Sequence, residues 1–324
     1  MADISEVVSN ETENLPVLIK EEIEYDINEL RKIADDRITE FNRSQSLIFY
    51  EVLDAVKNQQ ALYQFIYARG GTGKTFVLNA ILASVRSIES EIGGSIALAV
   101  GTTGIASTLL HLGRTFHSRF KAPLSPHKDS FCSIDSQSTL AILIRLAKII
   151  VIDEAPMLHR YLLEALDRTL KDIIGSDKPF GGKIVICSGD FRQTLAVIPH
   201  ARRAAIVDAS LNRSPLWKHF VVRHLSQNMR IKLADDPRLE AFDEWTLNIG
   251  DGCIRTKCNG DDTLIEIPAD MCMPIEENNR KDPHAEKKSM QRLANHVYPD
   301  LGTHYRKKGW MNGRAILAPT NQQV

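Results

Sequence analysis

Three short stretches carry side chains whose types and spacing can do chemistry together. The first is Ala68-Arg69-Gly70-Gly71-Thr72-Gly73-Lys74-Thr75. Gly70, Gly71 and Gly73 let a backbone turn tightly, so that successive amides converge and bind an anion. Lys74 adds a cation suited to β- and γ-phosphates, and the Thr75 hydroxyl is a ligand suited to Mg²⁺. An apolar run precedes the octet and a helical pattern follows it, which brings helix N-terminal amides to the same point. A glycine-rich turn that only capped a helix would not need the Lys-Thr pair. Ala68 stands where the first glycine is usual, and a small residue suffices there if its φ is negative. The octet reads as a P-loop for a nucleoside triphosphate, with Thr72 as part of the loop.

The second stretch is Ile149-Ile150-Val151-Ile152-Asp153-Glu154. A buried strand ending in two acids sets carboxylates at the carboxyl edge of a sheet, where ligands bind in such folds. Asp153 is expected to serve Mg²⁺, and Glu154 to orient and deprotonate an attacking water. An apolar run ending in Asp-Glu is common, and it gains meaning here from the P-loop. The third stretch is Gly189-Asp190-Phe191-Arg192-Gln193. Gln193 can position the water or sense the γ-phosphate; the other reading is a polar loop at a strand end.

The elements that must hold these residues are written in the apolar pattern. Runs at 63–67, 95–100, 149–152, 183–187 and 220–225 show no strict alternation, as strands buried on both faces do not. Helical patterns at 76–91, 103–110 and 158–174 lie between them. The repetition predicts a doubly wound α/β domain with a parallel sheet and helices on both faces. Beyond Arg230 the pattern predicts a helix at 237–249, a strand at 263–267, a polar loop at 273–284, a helix at 289–298 and a strand at 314–318. The expected organisation is an acidic N-terminal segment at 1–40, a first α/β domain at 41–230 and a second, partial domain at 231–324.

Bulk composition is that of a soluble globular protein: 43% hydrophobic and 25% charged among 324 residues. The net charge of −1 hides a division. The 12 acids and 4 bases of residues 1–40 give −8, which leaves +7 for the remainder. The acidic segment reads as a solvated tail leading into a helix, or as an arm for a partner. The mildly basic remainder permits phosphate contacts. Five cysteines and an acidic N-terminus suggest free thiols in a reducing, intracellular setting. Cys253 and Cys258 lack the spacing of a zinc site. No apolar run has membrane-spanning length.

The motifs, taken in order, resemble superfamily-one DNA helicases. That order runs from residues 70–75 through Thr103-Gly104-Ile105-Ala106-Ser107 and Gly113-Arg114-Thr115-Phe116-His117-Ser118. Asp153-Glu154-Ala155-Pro156-Met157 and then Gly189–Gln193 complete it. The chain is most similar to the petite-integration-frequency (PIF) helicase family, especially its Helitron-transposon branch. Leu225-Ser226-Gln227-Asn228-Met229-Arg230, Ile249-Gly250-Asp251-Gly252, Ile267-Pro268 and residues 314–321 fit that branch too. The resemblance implies a P-loop NTPase with a RecA-like sheet and the start of an incomplete second RecA-like domain. It implies that Gln45 reads adenine and so selects ATP. It implies that Arg230 reaches the γ-phosphate when two RecA-like domains close. Thr103, Gly104, Thr115 and His117 then line a single-stranded DNA track, and Phe116 either stacks on a base or belongs to the core.

The implied activity is ATP-dependent unwinding of duplex DNA in the 5′-to-3′ direction, as the domains close on ATP and reopen. A nuclear location and roles in repair, recombination and telomere maintenance follow from the same likeness. Ala196 stands where the branch usually has proline. The family's later motifs, including a second arginine, would lie beyond Val324. The chain is therefore expected to be truncated, and the competing expectation is a module that binds ATP and single-stranded DNA without unwinding.

Overall fold

Where alternate residues of the apolar runs point explains why the runs do not alternate. The computed structural model describes residues 15–90, 93–234, 236–259, 262–273 and 285–318. Its strands are β1 (Tyr63–Ala68), a minor ladder of β2 (Glu89–Ser90) with β3 (Gly93–Gly94), β4 (Ala97–Gly101), β5 (Arg114–Thr115), β6 (Ile149–Asp153), β7 (Ile184–Gly189) and β8 (Val221–Leu225). Six of them form one sheet in the order β5-β4-β6-β7-β1-β8, every pair parallel. Phe65, Leu98, Val100, Ile150, Ile152, Val185 and Cys187 enter one apolar cluster. Their chain neighbours Ile66, Ala97, Ala99, Ile149, Val151, Ile184 and Ile186 enter another. Both faces are covered, so both sets must be apolar.

The helices that cover them are amphipathic for the same reason. On one face lie α3 (Arg43–Lys57) and α4 (Lys74–Arg86), through Ile48, Phe49, Val52, Leu78, Ile81 and Val85. The other face takes α6 (Phe116–Phe120), α7 (Thr139–Leu146) and α8 (Arg160–Ile174). Leu162, Leu163, Leu166, Leu170 and Ile173 make the buried stripe of α8, which ends at Gly175 in the left-handed region. Between these elements, α5 (Gly104–Thr108) follows β4.

Residues 15–39 are not a solvated tail. They form α1 (Val17–Ile23) and α2 (Ile27–Thr39), which pack on the domain through Leu15, Ile19, Leu30 and Ala34. Glu22 and Arg119 form a buried ion pair, and Tyr25 donates to the carbonyls of Ser95 at 3.0 Å and Arg86 at 3.3 Å. Burial pushes the Tyr25 hydroxyl up to about 12 and the Arg86 guanidinium down to about 10. Residues 1–14 lie outside the described residues.

The chain divides into two compact units, 1–251 and 252–324, rather than at Arg230. The first unit also holds α9 (Arg203–Ala209), α10 (Met229–Ala234) and α11 (Pro237–Gly250). In the second, β9 (Thr256–Asn259) pairs antiparallel with β10 (Asp262–Ile265), and α12 (Ala285–Val297), α13 (Leu301–His304) and α14 (Lys308–Asn312) follow. The strand expected at 314–318 is not formed: the apolar Ala-Ile-Leu-Ala stretch has no ladder partner among the described residues. Most of the loop expected at 273–284 lies outside the described residues. Among the described residues no helix is long and apolar enough to cross a membrane.

At the amino edge of the sheet, Lys183 donates to the carbonyls of Arg145 and Ala147, both at 2.6 Å, and so closes the end of α7. Burial, with a smaller push from Lys148, brings its ammonium down from 10.5 to about 8. Between these values the unfolded chain binds the proton that the folded chain does not, so stability rises with pH across that window. The burial cost is fully present below pH 8 and is gone above 10.5. Lys183→Met is expected to flatten this rise relative to the native chain in urea unfolding at pH 7.5, 9 and 10.5. An unchanged pH slope would refute the assignment.

Candidate nucleotide and nucleic-acid site

The sheet order sets three chemical loops side by side. Neighbours β6, β7 and β1 end in Asp153, Gly189 and Ala68, and adjacent strands lie about 5 Å apart. Ala68 closes β1 without a positive φ, which is why alanine is tolerated at the first position of the loop. Gly71 and Gly73 have φ of +82° and +81°, and Gly73 caps α4. Thr72 is fully buried and donates its hydroxyl to the Arg69 carbonyl at 2.8 Å, so its side chain stiffens the loop from within.

Above the loop lies a cleft of about 360 Å³. The predicted residues Gly70, Gly71, Gly73, Lys74, Thr75, Glu154, Gln193 and Arg230 all line it. Asp153 sits just beneath, almost fully buried. Lys74 Nζ lies 2.8 Å from Asp153 Oδ1 and also pairs with Glu154 Oε1. Asp153 Oδ1 further accepts from Ser188 Oγ at 2.8 Å and from the Glu154 amide at 2.9 Å. Glu154 itself is left-handed, with φ of 54°, a backbone state that costs a non-glycine residue free energy. The turn it makes brings Pro156 against Gly189, where a β-carbon would sit 2.4 Å from Pro156 Cδ. Asp153 and Thr75 are hard oxygen donors, the class that Mg²⁺ prefers.

Gln45 lies outside this lining. It is 2% exposed, and its amide is engaged at both ends. Oε1 accepts from the Asn42 amide at 2.9 Å, half of a capping box for α3, and Nε2 donates to the Thr72 carbonyl at 3.1 Å. In this structure Gln45 braces the P-loop from below.

Arg230 is placed by backbone contacts. The Gly71 carbonyl accepts from the amides of Met229 at 2.9 Å and Arg230 at 3.3 Å. Asn228 Oδ1 accepts from the Arg230 amide at 3.1 Å. A β-carbon on Gly71 would come within 2.3 Å of that same Oδ1. From sequence alone Asn228 and Ser188 have no assigned role; Asn228 precedes a helix, where asparagine is a usual cap, whereas Ser188 carries no local signal. Gly71→Ala combines this clash with a left-handed φ costing roughly 1–2 kcal/mol. It is expected to weaken binding of a fluorescent ATP analogue by about tenfold or more. Native affinity would show that the loop does not hold this shape.

The expected DNA residues sit on the far side of β6. Register pairs Gly101 of β4 with Thr115 of β5, so α5 and α6 begin side by side at the carboxyl edge. Thr103 and Thr115 cap these helices, accepting from Ala106 N at 3.1 Å and Ser118 N at 3.3 Å. Each hydroxyl keeps its proton for donation. Around Gly104 there is open space, and His117 is half-buried. Of the two readings of Phe116, the structure supports the core. Phe116 is fully buried, packed edge-on against Phe120 with ring centres 5.2 Å apart, and it belongs to the core. It offers no face to a base.

Residues 40–260 match the PIF1-like helicase family. The chain belongs to that family. It is 32% identical over 161 residues to the ATP-dependent DNA helicase PIF3 of Trypanosoma brucei brucei, covering 50% of this chain and 17% of that protein. It is 27% identical over 168 residues to the ATP-dependent DNA helicase Pif1 of a Psychrobacter species, covering 51% and 25%. The chain thus spans a quarter or less of these curated relatives. Among solved structures, two coordinating Pif1 helicases at forked double-stranded DNA match with a TM-score of 0.53, 23% identity, and 66% of this chain against 49% of that one. Pif1 from Bacteroides in complex with ADP-AlF3 and single-stranded DNA matches with a TM-score of 0.51 at 23% identity, covering 64% and 46%. These likenesses establish the fold: a RecA-like sheet of the Pif1 helicase type.

Proposed function

We propose that this chain binds and hydrolyses ATP and couples hydrolysis to 5′-to-3′ movement on single-stranded DNA, and so to unwinding of duplex DNA. The observation that carries the reading is the contact of Lys74 with Asp153 and Glu154 at the mouth of the P-loop. A lysine so placed exchanges its carboxylate partners for phosphates when a triphosphate enters. Glu154 is then released to accept a proton from the attacking water, and Gln193, lining the same cleft, orients that water. Arg230, exposed and lining the same cleft, answers the charge that develops on the transferred phosphoryl group. Thr75 and Asp153 would hold Mg²⁺, which would supply positive charge to the triphosphate.

Selection of ATP by Gln45 requires its amide to trade the Thr72 carbonyl for adenine. A comparison of ATP and GTP hydrolysis in native and Gln45→Ala chains tests that step. The hydroxyls of Thr103 and Thr115 and the backbone at Gly104 are the proposed phosphate contacts, with His117 beside them. A nuclear location and work in repair, recombination or telomere maintenance belong to the same proposal and rest on the resemblance.

The deciding measurement is phosphate release by the purified chain with and without single-stranded DNA, followed by strand displacement on 5′- and 3′-tailed duplexes. Stimulated hydrolysis with displacement from the 5′ tail supports the full reading. Stimulation without displacement reduces it to an ATPase module. Nucleotide binding with no hydrolysis overturns it.

A further inference from the structure

Helix α11 carries none of the residues assigned above, yet it reaches the loops on both sides of the nucleotide cleft. Asp243 Oδ2 lies 2.8 Å from Arg69 Nη1, and both side chains are only one-fifth exposed, at 20%. Arg69 is the second residue of the P-loop. Asp243 Oδ1 also accepts from Asn228 Nδ2 at 2.9 Å. This contact decides which way the Asn228 amide faces. With its NH₂ taken by Asp243, Asn228 presents Oδ1 to the amides of Arg230 at 3.1 Å and Ile231 at 3.4 Å. One carboxylate therefore fixes both the start of the P-loop and the side chain that caps the helix bearing Arg230.

The far end of α11 makes a matching contact. Gly250 follows Asp243 by two turns, about 10 Å along the axis and on nearly the same face. The Arg192 side chain lies across it, and a β-carbon on Gly250 would meet Arg192 Cδ at 3.0 Å. Asp251, which ends the helix, pairs with Arg192 Nε at 2.7 Å. Arg192 also rests over the Tyr67 ring at 5.3 Å. It directly precedes Gln193, whose side chain is exposed in the cleft. The two arginines thus belong to two catalytic loops, and the two aspartates to one rigid helix.

We propose that α11 is a strut that sets the spacing of the two loops, with Asp243 and Asp251 as its positioning residues. This rests on the reading of the cleft as an ATP-hydrolysing site. Neither aspartate is among the residues that line the nucleotide cleft. Asp243 acts through Arg69 and Asn228 on the P-loop and Arg230, and Asp251 acts through Arg192 on Gln193. Substrate binding depends mainly on the P-loop amides, whereas Arg230 and Gln193 act as charge develops. Loss of the Asp251 contact therefore lowers kcat far more than it raises KM.

Amide hydrogen exchange on the full chain tests the strut without requiring turnover. Asp243→Ala is expected to speed exchange at 69–73 and 228–231, and Asp251→Ala at 190–193, with β6 unchanged in both. The charge-swapped chain R69D/D243R is expected to restore slow exchange at 69–73. In single-stranded-DNA-stimulated hydrolysis, Asp251→Ala is expected to lower kcat about tenfold while KM for ATP moves less than about twofold. Unchanged exchange at both loops overturns the strut. Should an alanine variant also loosen β6, the charge-swapped chain decides: slow exchange supports the strut, and persistent loosening overturns it. If the loops loosen as expected but the native chain hydrolyses no ATP, the strut stands and the ATPase reading falls.

Discussion

Lys74→Ala is expected to lower ATP hydrolysis by about 10²–10³-fold, the usual cost of removing one preorganised group that answers transition-state charge. The structure adds a second reason to expect a large loss. Lys74 is the cation between two carboxylates, one of them almost fully buried. Without it, the neighbouring carboxylates of Asp153 and Glu154 lose their shared cation, and Asp153 keeps only the Ser188 hydroxyl and the Glu154 amide. An incoming triphosphate then meets two anions and no lysine. Nucleotide binding should weaken along with turnover. Arginine should not rescue, because the planar guanidinium is not the compact point charge that this loop encloses. Phosphate release and analogue titration, with thermal melting to confirm folding, decide the matter. Hydrolysis within tenfold of native would remove Lys74 from the mechanism.

The parts of this site that were legible in sequence are those whose physics is local. The P-loop is a run of neighbours, and its strand and helix adjoin it. Asp153 is legible because a strand covered on both faces is apolar until the end that meets the ligand site. Phe116 was ambiguous, since an aromatic at a helix start serves a base or a core equally well. Only the position of β4 and α6 decides that it is core. Gln45 carried a readable local signal, because Asn42 three residues earlier completes a capping box. That box is what holds its amide. Asp243 and Arg69 lie far apart in the chain and share no pattern, so their pairing is visible only in three dimensions. The stretch 314–318 failed for the converse reason. Its composition suits a strand, but a strand needs a partner, and no sequence window contains one.

The N-terminal acids show the largest gap between composition and structure, and they carry the second large effect. A charge tally sends residues 1–40 to solvent. Glu22 instead lies 97 positions from its partner Arg119, with side chains 3% and 1% exposed. Arg119 belongs to α6, which follows Thr115 at the proposed DNA track. Burial holds the guanidiniums of Arg119 and Arg86 below their ordinary range, and Glu22 opposes that shift in both. Glu22→Ala leaves these cations buried without their carboxylate, which costs about 3–5 kcal/mol. Equilibrium urea unfolding should show that loss as a lower midpoint at unchanged slope. Replacing both partners, Glu22→Leu with Arg119→Met, should recover the Arg119 share of it, because two apolar side chains of similar size need no pairing, while Arg86 keeps the carbonyls of His111 and Ala97 without the carboxylate. If the single variant instead unfolds within about 1 kcal/mol of native, the value of an exposed pair, then α1 is not docked on α6 in solution. A stable Glu22→Gln chain with weakened single-stranded-DNA stimulation would place the role of Glu22 in orienting α6 rather than in holding the fold.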